Sequence, residues 1–140
     1  MLKGIPKNLS PELLKILMEM GHGDEIVIAD GNFPSASCAK RLIRADGLDV
    51  APLLDDILKL FPLDTYVESP VTLMQVVPGD STPTIWDIYS QIIARHDPNA
   101  KINNIDRFAF YERAKNAYAV IATTEAALYA NIILGKGVVK

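Results

Sequence analysis

The sequence predicts a single three-layer α/β/α domain with a mixed, mostly parallel sheet. Three observations carry this prediction. Segments with helical apolar spacing alternate along the chain with short strand-like runs, the pattern of a layered α/β protein. Several of those runs are apolar at consecutive positions, which suits strands covered on both faces. Finally, 140 residues, 49% of them apolar, are enough for one real hydrophobic core, and no internal repeat, low-complexity tract or linker divides them.

The elements follow in order. Ser10 is a good N-cap, Pro11 fits a first helical position and Glu12 suits the positive end of the helix dipole. Leu9, Leu13, Leu17 and Met20 then recur at helical spacing until Gly21 stops the helix. The loop Gly21-His22-Gly23-Asp24 leads into a strand, Glu25-Ile26-Val27-Ile28-Ala29, which ends in the turn formers Asp30-Gly31-Asn32-Phe33-Pro34. Ser35 to Leu42 reads as a short helix. A further helix starts near Asp49 and carries Leu53, Leu54, Ile57, Leu58 and Phe61 up to Pro62. Val71 to Val77 is a second strand, closed by Pro78-Gly79-Asp80. Thr84 to Arg95 is helical, with Trp86, Ile88, Tyr89, Ile92 and Ile93 as its apolar set. Ile102 and Ile105 mark a short strand. Arg107 to Asn116 is a helix with Phe108, Tyr111 and Ala114 on one face. Tyr118 to Ala122 and Ala130 to Leu134 are the last two strands, and Gly135-Lys136-Gly137 reads as a turn. Met18, Met20 and Met74 read as core filling.

Bulk properties exclude several classes. The net charge is −3, and there is no basic stripe of the kind nucleic-acid binding requires. No apolar run is long enough to span a bilayer, and the N-terminus lacks the apolar core of a signal peptide. Cys38 is the only cysteine, so no intrachain disulfide can form, and two histidines are too few for a His-rich metal site. The expectation is a cytoplasmic protein.

Four places carry candidate chemistry. His22 sits uncrowded between two glycines, and histidine as a residue type can take and return protons near neutrality; the competing reading is a loop histidine capping a carbonyl. Asp30 lies just beyond a buried strand, where ligands collect in open α/β sheets, and a carboxylate there can bind sugar hydroxyls; an Asx-turn is the alternative. Arg107 opens a helix and can aim a planar donor fork at hydroxyls or an anion, or else pair with Asp106 or Glu112 on the surface. Tyr129 and Asn131 flank Ala130 where a strand begins, so their side chains would share a face and converge on one ligand. The alternative is a half-buried tyrosine beside an edge asparagine.

Four separated segments, taken together, resemble one family. They are Glu19-Met20-Gly21-His22-Gly23-Asp24-Glu25, Ile43-Arg44-Ala45-Asp46-Gly47-Leu48, Arg107-Phe108-Ala109-Phe110-Tyr111-Glu112-Arg113-Ala114, and Tyr129-Ala130-Asn131-Ile132-Ile133-Leu134. The chain is similar to the L-fucose mutarotases, relatives of the ribose pyranases, over nearly its whole length and with matching order and spacing. The segment from Arg107 points to the fucose branch.

The resemblance implies an isomerase that interconverts the α and β anomers of L-fucose. It implies His22 as proton donor, Asp30 and Arg107 as substrate contacts, and Tyr129-Ala130-Asn131 in place of a sugar-contacting Tyr-Gly-Asn triplet. Tyr129 or a bound water would be the second proton carrier. The partner is L-fucose or a related monosaccharide, and no metal or redox cofactor is needed. The family forms ring-shaped homo-oligomers, typically decamers, with sugar sites close to subunit boundaries. Two departures stand out. Ala130 replaces the family glycine. Relatives often show Asp-Ala-His-Phe-Pro or Asp-Ala-Asn-Phe-Pro where this chain has Asp30-Gly31-Asn32-Phe33-Pro34; Asn32 can hydrogen-bond but cannot titrate, so no acid–base role carries over to it. A ribose pyranase, or a sugar-binding accessory protein without turnover, are the competing functions.

Overall fold

The computed structural model describes residues 1–140. Its elements, in chain order, are α1 (Pro11–Glu19), β1 (Glu25–Ala29), α2 (Ser35–Cys38), β2 (Leu42–Ala45), α3 (Val50–Leu58), β3 (Val71–Met74), α4 (Ile85–His96), β4 (Ile102–Ile105), α5 (Arg107–Asn116), β5 (Ala119–Thr123) and β6 (Ile132–Gly135). The six strands form one sheet in the order β2-β5-β1-β6-β3-β4. The pairs β1/β5, β2/β5 and β3/β4 are parallel, and β6 alone runs antiparallel, between β1 and β3. The mixed, mostly parallel sheet is as expected.

Alternation within the strands divides the core into two layers. Ile26 and Ile28 of β1, with Ile121 and Ile132, pack under α1, α3 and α4 beside Leu13, Leu53, Leu54, Ile57 and Tyr89. Val27 and Ala29, with Val120 and Ile133, face the other way, toward Phe33, Cys38, Phe110 and Ala114 from α2, α5 and the segment before α2. The three-layer α/β/α arrangement follows. No helix is long and apolar enough to cross a membrane.

Local signals explain the starts of two helices. The Ser10 hydroxyl accepts from the Leu13 N–H at 3.1 Å, so the expected cap forms. Asp106 caps α5 by accepting from the N–H groups of Phe108 and Ala109. Some expectations fail for identifiable reasons. The run from Ser35 to Leu42 is helical only to Cys38, and the chain then forms the edge strand β2. That strand buries Ile43 alone and carries an exposed Arg44, so it shows little strand pattern, as charged edge strands often do. The second strand stops at Met74, not Val77. On α5 the buried residues are Phe110 and Ala114, whereas Phe108 is 68% exposed and lies beside the Arg107 guanidinium. Met20 and Met74 are core residues but Met18 projects into solvent.

Gly135-Lys136-Gly137 is not a turn. Lys136 bridges Leu63 in antiparallel fashion, its carbonyl accepts from the Gly23 N–H at 2.9 Å, and its own N–H donates to the Asp24 carbonyl at 2.8 Å. The close approach needs glycine: a Cβ at Gly137 would lie 2.4 Å from the Leu63 carbonyl oxygen and 2.9 Å from the Asp64 Cα. Gly137→Ala is therefore expected to lower the unfolding free energy by about 1–3 kcal/mol, the usual cost of overpacking. The shift in urea midpoint measures it, and an unchanged midpoint would mean that this segment does not pack against residues 63–64 in solution.

Candidate active site

The C-terminal edge of the parallel strands gathers most of the candidate residues. Asp30 follows β1 and Arg107 follows β4. Because β6 is antiparallel, the residues that lead into it, Tyr129 to Asn131, start at this same edge. Ligands in open α/β sheets collect beyond such strand ends. A cavity of about 200 Å³ lies here, lined by Asp30, Asn32, Phe33, Met74, Asp80, Arg107, Tyr111, Tyr129 and Asn131, among others.

Asp30 and Asn131 hold each other. The Asp30 N–H donates to Asn131 Oδ1 at 2.8 Å, and Asn131 Nδ2 donates to Asp30 Oδ2 at 3.0 Å. Asn32 N–H donates to Asp30 Oδ1 at 3.0 Å, so the Asx-turn reading and the cavity reading are both correct. Asp30 and Asn131 are buried. Burial pushes the Asp30 carboxyl above its ordinary pKa, while these donors pull in the opposite direction.

Tyr129 reaches the cavity by a different route from the one the sequence suggested. The strand begins at Ile132, and Tyr129 lies in the left-handed region at φ 56°, so the same-face argument for residues 129 and 131 does not apply. Asn131 turns inward to Asp30. The Tyr129 hydroxyl instead donates to the Asp80 carboxylate and accepts from the Val77 N–H at 3.4 Å. Helix α4 fixes the backbone below. Trp86 Nε1 donates to the Tyr129 carbonyl at 2.8 Å, and the Tyr89 hydroxyl donates to the Ala130 carbonyl at 2.7 Å. Tyr89 is fully buried, which pushes its phenol far above the usual range and keeps it a donor. Ala130 is fully buried in the core, which accommodates its methyl group.

Arg107 is exposed and makes no ion pair with Asp106 or Glu112: Asp106 caps the helix, and Glu112 pairs with Lys115. The guanidinium is left available to the cavity.

His22 lies at the opposite edge of the sheet. At about 3.3 Å per residue, β1 alone holds its ends about 13 Å apart, and His22 and Asp30 lie beyond those ends. His22 does not cap a carbonyl. Its Nε2 is 3.1 Å from Asp64 Oδ1, which also accepts from the Tyr66 N–H at 2.9 Å. A carboxylate only accepts, so Nε2 carries the proton and, in the neutral ring, Nδ1 holds the free lone pair. The Tyr66 ring packs on the imidazole at 5.2 Å between centroids. Gly23, at φ 86°, supplies the left-handed turn the loop needs. The His22 side chain remains 44% exposed and Asp64 only 5%.

Sequence reasoning missed Asp64, Asp80, Trp86, Tyr89 and Tyr111 as parts of these two clusters. Asp64 and Asp80 lie in loops without local cues, and the three aromatics read as ordinary apolar positions.

The fold and the two clusters define a small α/β protein with a cavity at its strand ends, into which carboxylate, amide, guanidinium and phenol groups are set among apolar side chains, and a histidine–aspartate pair at the other edge. This chain belongs to the RbsD / FucU transport protein family, whose model matches residues 3–139. It is 56% identical to a fucose mutarotase of Mus musculus, over 97% of this chain and 94% of that one. It is 60% identical to the fucose mutarotase of Streptococcus pneumoniae, solved in complex with L-fucose, with a TM-score of 0.96 and coverage of 99% and 100%. The likeness to Bacillus subtilis RbsD, solved with D-ribose, is weaker at 25% identity and TM-score 0.74, with both chains fully covered.

The backbone N–H of Tyr66, and then the His22 ring, hold the Asp64 carboxyl below its ordinary value of 3.8. The native state thus releases this proton more readily than the unfolded chain does. The stabilisation is fully present above about pH 4 and fades as pH falls through the folded value. In urea titrations, the stability gap between the parent and Asp64→Asn should be full at neutral pH and should narrow under acid. A gap that does not vary with pH would remove the charge from the account of this pair.

Proposed function

We propose that this protein is an L-fucose mutarotase, which interconverts α- and β-L-fucopyranose by acid–base ring opening and reclosure. The observation that carries the reading is the full-length likeness to a fucose-bound mutarotase, together with the cavity that Asp30, Arg107, Tyr129 and Asn131 share. On this reading the 140 residues act as one domain in the cytoplasm, on L-fucose or a related monosaccharide, without metal or redox cofactor.

The chemistry needs two proton movements. The anomeric hydroxyl loses a proton and the ring oxygen gains one; the ring opens to an aldehyde, and closure on the other face reverses both steps. His22 serves as one carrier, and well-placed groups of this kind contribute roughly 10²–10⁴-fold in rate. Asp64 orients it. Asp30, Arg107, Tyr129 and Asn131, with the Ala130 backbone, hold the sugar hydroxyls so that C1 inverts while the sugar stays bound. The second carrier is a cavity hydroxyl, such as that of Tyr111, or a bound water.

His22 cannot reach the cavity of its own chain, so the reading joins two copies. The His22 edge of one copy would meet the cavity edge of the next. Both edges carry exposed apolar side chains: Phe108 and Leu128 beside the cavity, Tyr66 against His22. Apolar exposure of this kind marks contact surfaces. A contact between two different edges is heterologous, and when its rotation closes it generates a ring. That agrees with the expected decameric ring assembly.

Saturation-transfer NMR on the anomers of L-fucose tests the function: purified protein should speed exchange, and D-ribose should be a poorer substrate. Binding without faster exchange would mean a sugar-binding accessory protein, and preference for ribose would mean a pyranase. His22→Ala should lose exchange by roughly 10²-fold or more; a variant as fast as the parent would end the role given to His22. Mixing His22→Ala with Arg107→Ala subunits and reassembling them should regenerate activity, because about a quarter of randomly assembled two-copy sites receive both intact partners. No recovery would mean that the two clusters do not meet between copies.

A further inference from the structure

The loop after β3 contributes a carboxylate, Asp80, that the mechanism above does not use. It lies where three openings meet. Asp80 lines the sugar cavity, a neighbouring cleft of about 450 Å³ shared with Tyr129 and Leu128, and a third cleft shared with Arg107 and Phe108. The contact between the Tyr129 hydroxyl and the Asp80 carboxylate is therefore part of the wall between the first two.

A tyrosine hydroxyl has one hydrogen to donate and two lone pairs. At Tyr129 the hydrogen goes to Asp80, and one lone pair takes the Val77 N–H. What remains for a ligand is a single acceptor position. The backbone of this tyrosine is in the left-handed region, a conformation that side-chain-bearing residues seldom adopt unless their surroundings impose it. Trp86 holds its carbonyl from below, and Asp80 is the corresponding hold on the ring end.

We propose that Asp80 is a positioning residue for the anomer exchange: it takes the Tyr129 phenolic hydrogen, so that Tyr129 offers the sugar an acceptor in a fixed place and does not act as the second proton carrier. The proposal rests on the mutarotase reading. Two charged groups act on this phenol. Asp80, through the hydrogen bond, is the largest influence and raises its pKa; Arg107 acts weakly in the opposite sense. While the Asp80 contact dominates, the Tyr129 phenol keeps its proton near neutrality, which makes the titration of this ring a direct readout of the contact.

The test compares the parent, Asp80→Asn, Asp80→Ala, Tyr129→Phe and the Asp80→Ala/Tyr129→Phe double variant by exchange kinetics on L-fucose. Ring-labelled tyrosine NMR, with the Tyr129 signal assigned by its loss in Tyr129→Phe, follows the phenol. Asp80→Ala should raise KM by about three- to tenfold, as expected for one or two lost hydrogen bonds, with kcat little changed. It should also let Tyr129 titrate at lower pH. Asp80→Asn keeps an acceptor oxygen and should restore KM. The double variant should cost no more than Tyr129→Phe alone. An unmoved KM, additive costs in the double variant, or a Tyr129 titration indifferent to Asp80→Ala would each overturn the proposal while fucose exchange by the parent stands. Absence of exchange in the parent would overturn the mutarotase reading, and this one with it.

Discussion

One antiparallel strand joins two parallel half-sheets. Without β6, the chain would hold β2-β5-β1 on one side and β3-β4 on the other, with no hydrogen bonds between them. Inserting β6 pairs Ile28 with Ile132 on one side and Leu73 with the same residue on the other. Ile132 to Leu134 are fully buried in consequence. The direction of β6 matters as much as its position. Running against its neighbours, it begins at the edge where they end, so the residues just before it arrive beside Asp30. Its far end then carries Lys136 and Gly137 onto Leu63, next to Asp64 and the His22 loop. Both clusters are therefore set by the placement of a four-residue strand.

The polar groups at the cavity edge are arranged to hold a carboxylate where water is scarce. Asp30 is buried at the end of a strand whose other residues are wholly apolar from Ile26 onward. Burial of a charge is unfavourable unless donors compensate it. Here the compensation comes from Asn32 and Asn131, two side-chain and backbone donors that cannot themselves ionise. The outcome is a carboxylate with a raised pKa and with acceptor capacity left over. Such a group suits sugar hydroxyls, which donate readily. The same logic explains why helix α4 spends Trp86 and Tyr89 on carbonyls of residues 129 and 130: the triplet must not relax if its contacts are to be selective.

Much of this was legible in the sequence. Helix starts with Ser10 and Pro11, or with Asp106 ahead of Arg107, are written in local chemistry, and β1 announces itself by its apolar run. Asp30 and Asn131 could be singled out from strand-end positions, and Arg107 from its place at the start of a helix. What could not be read is what depends on distant parts of the chain. β2 has one buried residue and no pattern. Tyr129 adopts a left-handed backbone because two hydrogen bonds from α4 and a carboxylate from residue 80 surround its segment, and neither partner is near it in sequence. Asp64 finds His22 across 42 residues. Phe108 has the spacing of a core residue but sits at a sheet edge, where facing outward places it beside Arg107.

The division between the two edges bears on how such an enzyme would have to work. Mutarotation asks little of the protein in covalent terms: a proton moves at each of two oxygens, and the sugar must stay in place while its ring is open. Holding and proton transfer make different demands. The groups proposed to hold the sugar are placed by hydrogen bonds at the strand ends and from α4, whereas the imidazole of His22 is half exposed on a glycine-flanked loop, oriented by one carboxylate and one aromatic ring. A single chain cannot fold a sheet and bring both edges to one point, because the strands themselves keep the edges apart. In the proposed assembly the sheet's length ceases to be an obstacle, since each copy presents its His22 edge to the cavity edge of another. The subunit boundary would then be part of the active site, and exposed apolar residues such as Phe108, Leu128 and Tyr66 would serve the chemistry by fixing the distance between two rigid bodies.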